Sequence, residues 1–131
     1  MHEEFNAVND CIFCNPPPER VVLENELAYA LWDAFPVTRL HCLIIPRRHT
    51  ADYFGVKRNE LLACNELLHT AANNMQLEDP SIEGFNMGVN IGRAAGQTIF
   101  HCHFHLIPRR MGDVENPRGG IRHTIPGKGN Y

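Results

Sequence analysis

The sequence predicts one domain in which short strands gather around a single helix. Three observations predict it. The 131 residues suffice for one hydrophobic core and leave no room for a second. Five runs of β-branched, aromatic and apolar residues are cut off by Asn, Asp, Gly and Pro, the composition of strands and turns. One apolar pattern has the helical period.

Arg20 to Glu24 and Leu27 to Trp32 are separated by Asn25 and Glu26, which predicts a β-hairpin. Leu40 to Ile45 follows as an apolar strand ended by Pro46, Arg47 and Arg48, and its one polar member, His41, reads as a satisfied core histidine. From about Val56 to Leu77, Leu61, Leu62, Leu68, Ala71, Ala72 and Met75 recur at helical spacing, with Glu60, Glu66 and Asn73 between them. Asp79 and Pro80 stop that helix, and His69 lies on it as a surface or capping residue. Phe85 to Ile91 is the fourth strand. Gly92 to Gln97 joins it to the fifth, so these glycines do not open a helix as a P-loop would. A tight loop of this kind brings backbone N–H groups and Gln97 up to a phosphate. The tail from Met111 to Tyr131, with Pro117, Gly119, Gly120, Pro126, Gly127 and Gly129, is predicted to be irregular. It either wraps the body or reaches a partner subunit, or else it frays into solvent.

A formal net charge of −3 argues against electrostatic capture of nucleic acid. No apolar stretch approaches the ~20 residues that span a bilayer, so no membrane partner is expected. The start, with Glu3, Glu4, Asn6 and Asn9, lacks the basic residues and apolar core of a signal peptide, and a cytoplasmic location is the expectation. Five cysteines do not form a paired framework, and Cys42, Cys64 and Cys102 fall where free thiols act as small core residues. A reducing compartment suits that usage.

The fifth run, His101 to Pro108, speaks most directly to chemistry. In an extended strand alternate side chains share a face, so His101, His103 and His105 lie opposite Cys102, Phe104 and Leu106. Three imidazoles on one face are costly to bury unless they are bonded, ligated or set at a cleft. A three-histidine metal centre fits poorly: at about 3.3 Å per residue the first and third rings originate roughly 13 Å apart. One or two of them remain available as ligands. Cys11 and Cys14 have the CxxC spacing that places two thiolates on one ion, just ahead of Pro16, Pro17 and Pro18. A redox pair is the weaker reading, because no strand and helix of the thioredoxin kind precede it, and an inert surface pair is the plain alternative.

The run GQTIFHCHFHLIPRR, Gly96 to Arg110, follows the order His, apolar, His, apolar, His, apolar, apolar and resembles the signature of the histidine triad (HIT) superfamily. The stretch ALWDAFPVTRLHCLIIPRRH, Ala30 to His49, resembles that family's nucleotide-pocket strands, and VNIGRAAGQT, Val89 to Thr98, its phosphate loop. Together the resemblance covers most of Cys11 to Arg110. It departs at Leu40, where many members carry glycine ahead of the histidine. The ending IPRR and the tail PRGGIRHTIPGKGNY look more like the bacterial-type, dinucleoside polyphosphate hydrolase (fragile histidine triad-like) side of the family than its phosphoramidase side.

The resemblance implies an α+β fold: a five-stranded antiparallel sheet, one main helix, a short N-terminal helix or turn, and an irregular C-terminal tail. Residues 1–131 would form a single domain, with a core of about 11–110 and a tail of 111–131. The implied activity is nucleotide hydrolysis or nucleotidyl transfer: cleavage of a phosphoanhydride, in a dinucleoside polyphosphate or related conjugate, with release of a nucleoside monophosphate. His103 would be the nucleophile that carries a covalent nucleotidyl group, as suits a neutral imidazole with an ordinary pKa of about 6.5. His105 would donate to phosphate oxygens, Gln97 and Thr98 would hold the phosphoryl or bridging oxygen, Asn90 would touch the phosphate side, and Asp33 would accept from ribose hydroxyls. Asp33 as a turn residue before Pro36 and Asn90 as a strand-end cap are the plain alternatives.

In zinc-bearing members a CxxC pair joins a histidine after the PRR-type turn and the first triad histidine. Here that implies a closed structural zinc site of Cys11, Cys14, His49 and His101, with His101 orienting the catalytic strand and no organic cofactor. The implied partners are a purine nucleotide and a second copy in a two-fold dimer, packed through the helix and a strand edge. The competing functions are a nucleoside phosphoramidase and a nucleotide-binding interaction protein with residual hydrolysis.

Overall fold

The computed structural model describes residues 10–131, and the Glu3 and Glu4 start weighed above as a signal sequence lies outside the described residues. A turn from Cys11 to Cys14 and a 3-10 turn at Pro18–Arg20 lead into β1 (Val21–Glu24) and β2 (Ala28–Trp32). Asn25 makes that hairpin. Its Oδ1 accepts from the N–H groups of Leu27 and Ala28, while its Nδ2 donates to the Ala63 carbonyl 3.0 Å away on the helix. One short polar side chain thus shapes the turn and ties it to the layer beneath.

After β3 (Cys42–Pro46), α1 (Arg58–Glu78) crosses to β4 (Ile82–Val89), which returns antiparallel to β5 (Phe104–Arg110). The five strands form one antiparallel sheet in the order β1-β2-β3-β5-β4. This is the expected α+β architecture. No helix among the described residues is long and apolar enough to cross a membrane.

The two sheet faces bury different partners. Ala28, Ala30, Cys42, Ile44, Phe104 and Leu106 pack against Cys64, Leu67, Ala71 and Met75 of α1. Tyr29, Leu31, Leu43 and Ile45 are covered on the other face by Cys11 and Phe13. The N-terminal segment is therefore a second, thinner layer over the sheet. All five cysteines are free thiols, and Cys42, Cys64 and Cys102 are core residues as expected.

The structure corrects four details. The buried stripe of α1 runs through Glu60, Cys64, Leu67, Ala71 and Met75, leaving Leu61 and Leu62 largely exposed. Its first buried position is a carboxylate because Glu60 accepts two bonds from Arg48, at 2.8 and 2.9 Å, and one from the Lys57 N–H. That triple bonding rotates the stripe away from the leucines. The ladder of β5 begins at Phe104, so His101 to His103 approach the sheet as irregular chain. The third strand starts at Cys42 and the fourth ends at Val89, since Leu40 and Asn90 turn away into loops.

The tail is irregular apart from a 3-10 turn at Gly120–Thr124, and it lies back on the body instead of fraying. The Arg118 and Arg122 guanidinium groups sit 5.0 and 4.6 Å from the Tyr131 ring centre, and His123 Nε2 donates to the Arg118 carbonyl. His69 is exposed on α1.

Leu40 has φ of 77°, the one left-handed non-glycine residue among those described. That conformation costs a leucine about 1–2 kcal/mol, and its half-buried side chain packs on the main core in compensation. Leu40→Gly relieves the strain but loses the packing and adds unfolded-state freedom of about 0.5–1 kcal/mol. The net change in urea-denaturation stability is expected within about 1 kcal/mol of zero, against about 2–5 kcal/mol lost for Leu31→Ala in the core. Equal losses at the two positions would refute the strain.

Candidate active site

Burial of Cys102, Phe104 and Leu106 toward α1 leaves His101, His103 and His105 on the face that Phe13 covers. The three rings have separate surroundings. His103 Nδ1 lies 2.8 Å from the His101 carbonyl, which only accepts, so Nδ1 carries the proton. Its Nε2 keeps the lone pair, makes no hydrogen bond among the described residues, and lines a cavity. Burial pulls the His103 pKa below the ordinary value, opposed by the carbonyl bond and by Asp33.

His105 takes its tautomer from a residue read in the sequence as mere core. The Val37 N–H donates to His41 Nδ1, 3.1 Å away, so His41 carries its proton on Nε2. That Nε2–H donates to His105 Nδ1 at 3.0 Å, leaving His105 with an Nε2–H donor for the cleft. Asp33 Oδ2 lies 3.4 Å from the same His41 nitrogen. His41 is indeed buried and satisfied, and it also decides what His105 can do. The signal for it was an isolated polar residue in an otherwise apolar strand. Burial, then the neighbouring His103 and His41, lowers the His105 pKa to about 4, and burial lowers that of His41.

The cavity, about 290 Å³, runs across the sheet. His103, His105, Asn90 and Thr98 line it together with Asp33, Phe13, Leu31, Phe35 and Arg20, and the Phe13 ring lies 4.9 Å from that of His103. Asp33 does two jobs, since Oδ1 also accepts from the Phe35 N–H to form the turn. Asn90 is exposed at the end of β4, and no bond among the described residues engages the Thr98 hydroxyl.

Gln97 stands differently from the expectation. It is 4% exposed and outside the cavity lining; its Nε2 donates to the Ala51 and Ile99 carbonyls, and its Oε1 accepts from the Gly92 N–H. A buried amide must be satisfied, and here the backbone takes all of it. The N–H groups of Ala95, Gly96 and Gln97 likewise bond within the loop, so the loop does not turn them to a phosphate. Gln97 is the buried clasp of the loop that holds Thr98.

His101 does not line the cavity either. It is fully buried; its Nε2 donates to the Pro46 carbonyl at 2.7 Å, which aims the Nδ1 lone pair at Cys11 and Cys14 Sγ, 3.4 and 3.5 Å away. His49 Nδ1 lies 3.3 Å from Cys14 Sγ, and the four ligand atoms are within 4.8 Å of one another. A tetrahedral ion with bonds of about 2.3 Å to sulfur and 2.0–2.1 Å to nitrogen sets sulfur and nitrogen about 3.6 Å apart. The donor set and spacing fit such an ion, with the Pro46 bond as outer support. A second cluster, Asp33, His41 and His105, does not fit one, because the His41 nitrogen that faces it carries the proton.

One antiparallel sheet over one helix, bearing three alternate histidines and a cleft at the second and third, defines the histidine triad class. The chain belongs to the HIT domain family, which it matches over residues 16–112. It is 40% identical to an uncharacterized 16.1 kDa HIT-like protein of Mycoplasma pneumoniae over 83% of this chain and 78% of that one. It is 33% identical to adenylylsulfatase HINT3 of Arabidopsis thaliana, over 85% of this chain and 58% of that protein. A zinc-bound histidine triad family protein from Mycobacterium smegmatis superposes with a TM-score of 0.74 at 32% identity, over 82% and 80% of the two chains.

The unfolded chain holds His105 near about 6.5, whereas the folded chain holds it near about 4. Between those values the unfolded state binds more protons, so stability is full above the upper value and falls as pH drops toward the lower. The expected loss is up to about 1.4 kcal/mol per pH unit from His105, reduced where solvent screens it. Urea midpoints measured across that range check the sign; a profile that rises on acidification would contradict it.

Proposed function

We propose that the protein hydrolyses nucleotide phosphoanhydrides by nucleotidyl transfer to His103. The observation that carries this reading is the bond from His103 Nδ1 to the His101 carbonyl, which leaves a neutral Nε2 facing an apolar cleft. Nε2 attacks the phosphorus that bears the nucleoside, the bond to the leaving group breaks, and that group departs with its electron pair. A polyphosphate leaves as an anion and needs no proton. The His105 Nε2–H, Asn90 and Thr98 donate to the phosphoryl oxygens as charge develops. Water then attacks the same phosphorus, freeing the nucleoside monophosphate and a proton and restoring neutral His103.

Asp33 accepts from the ribose, and Phe13, Leu31 and Phe35 take a purine between apolar walls. The adenylylsulfatase relative, whose name also refers to an adenylyl group, favours an anhydride over a phosphoramidate. Residues 1–131 act in this reading as a single domain with a core of 11–110, in a reducing cytoplasmic setting that keeps the thiols free. Two copies pair through α1 and the exposed edge of β4, where Met87 and Leu77 stand out to solvent.

Zinc is the ion that Cys11, Cys14, His49 and His101 would hold, closed and structural. It would supply cross-linking of the N-terminal layer to the approach of β5, and no step of the reaction passes through it.

His103→Ala is expected to lower AMP release from diadenosine polyphosphate by at least about a thousandfold while circular dichroism stays unchanged. Trapping an adenylylated peptide containing His103 by mass spectrometry would support the reading. Slow turnover with tight nucleotide binding, unaffected by His103→Ala, would instead mark a binding protein. For the metal, elemental analysis should find about one zinc per chain, and Cys11→Ser with Cys14→Ser should lose it and lower the thermal midpoint. A zinc-free wild type with the same midpoint would refute the site.

A further inference from the structure

We propose that Arg20 reads the base in the cleft and makes the site prefer purines that carry an oxygen, not an amino group, at position 6; this rests on the nucleotide reading given above. The sheet lays out the floor on which a base would lie. Val21, Leu31, Leu43 and His105 are paired partners on four neighbouring strands, so they form one row across it. At a strand spacing of about 4.8 Å, that row runs roughly 14 Å from His105 to Val21. His105, Leu43 and Leu31 line the cleft, and so does Arg20, the residue before Val21.

The row orders the substrate. With the phosphorus at His103 and His105 and the ribose at Asp33, the base lies over Leu43 and Leu31 and points toward Arg20. A purine is joined to ribose through N9, and its 6-substituent projects furthest along the line of that bond. Turning the base about the bond exchanges the N1 and N7 sides but leaves the 6-substituent at the far end. That substituent is the group that meets the guanidinium.

Leu31 and Leu43 offer apolar area to any purine and do not tell one from another, so selection falls on the polar group beside them. A guanidinium donates hydrogen bonds and accepts none. Among the described residues the Arg20 side chain has one hydrogen bond, from Nη1 to the Trp32 carbonyl, and it is long at 3.4 Å. No carboxylate among the described residues pairs with it, whereas Arg39, Arg47, Arg48, Arg109 and Arg110 are all paired with Asp or Glu. Guanine sets the acceptor O6 before these donors, and hypoxanthine carries the same oxygen. Adenine sets an amino donor there, which leaves both sides without a partner.

The full chain is tested with the 4-nitrophenyl esters of GMP, IMP and AMP, which share one leaving group, and with GMP, IMP and AMP as ligands in calorimetry. In the wild type, guanine and hypoxanthine are expected to exceed adenine about tenfold in kcat/KM and in affinity. Arg20→Met is expected to bring both ratios to about one. Arg20→Glu is expected to turn them toward adenine, because a carboxylate accepts from the 6-amino group; its repulsion of the phosphate is common to all three nucleotides and cancels in the ratio. Ratios left unchanged by Arg20→Met, or hypoxanthine treated like adenine, overturn the base reading, and ester cleavage through His103 then leaves the hydrolase reading standing. Binding of GMP ahead of AMP through Arg20, with no ester cleaved, supports the base reading and overturns the hydrolase. Neither binding nor cleavage overturns both.

Discussion

Burial of Cys102, Phe104 and Leu106 under α1 is the constraint on which the site depends. Each large apolar side chain contributes about 1.5–3 kcal/mol when removed from water, more than any single hydrogen bond around the histidines. The pairs Ile44 with Phe104 and Cys42 with Leu106 lock that face in register. A slip of one residue would turn the imidazoles into the helix layer and the phenyl ring into the cleft, losing the burial and stranding polar groups together. The chemistry is aimed by the packing behind it.

The loops inherit that frame and add polar clasps. Leu40, in its left-handed conformation, reverses the chain so that His41 enters between Asp33 and His105. Thr38 Oγ1 closes the same loop on the Pro108 carbonyl at 2.8 Å. On the far side Arg48 is held by Glu60, which fixes the segment that delivers His49 to Cys14. Gln97 ties the glycine loop to Ala51 nearby. The loops on either side of the site are therefore each anchored to β5, to α1 or to one another.

Alternation made the two-faced histidine strand readable in the sequence, since period two needs no tertiary information. The hairpin and the helix were readable for similar local reasons, whereas the grouping of Cys11 and Cys14 with His49 and His101 came only through the family resemblance, since those histidines are far away in the chain. Gln97 misled because a polar residue in a glycine loop looks alike whether its amide faces substrate or backbone; only the approach of Ala51, 46 residues away, decides it. His41 was undervalued because its importance lies in a bond to His105, 64 residues distant. Leu61 and Leu62 suggested the wrong stripe because the Arg48 pair that draws Glu60 inward is not local to the helix. In each case a long-range bond overrode a local pattern.

Crowding the rings together sets the electrical character of the site. His41, His103 and His105 are all pulled below the ordinary imidazole pKa, chiefly by burial, and His105 further by its neighbouring rings. Asp33 opposes this but does not outweigh the burial. Near neutral pH the cluster is therefore uncharged, which keeps a lone pair on His103 at the cost of offering phosphate no imidazolium. Negative charge brought into the cleft would then be met by oriented N–H and O–H dipoles, since Arg20, which leads into β1 at the far edge of the sheet from β5, is the only Lys or Arg lining the cleft among the described residues. A site of this kind gains more from holding its donors still than from accumulating positive charge. The bond from Val37 to His41 and on to His105 is therefore as much a part of the site as His103 itself.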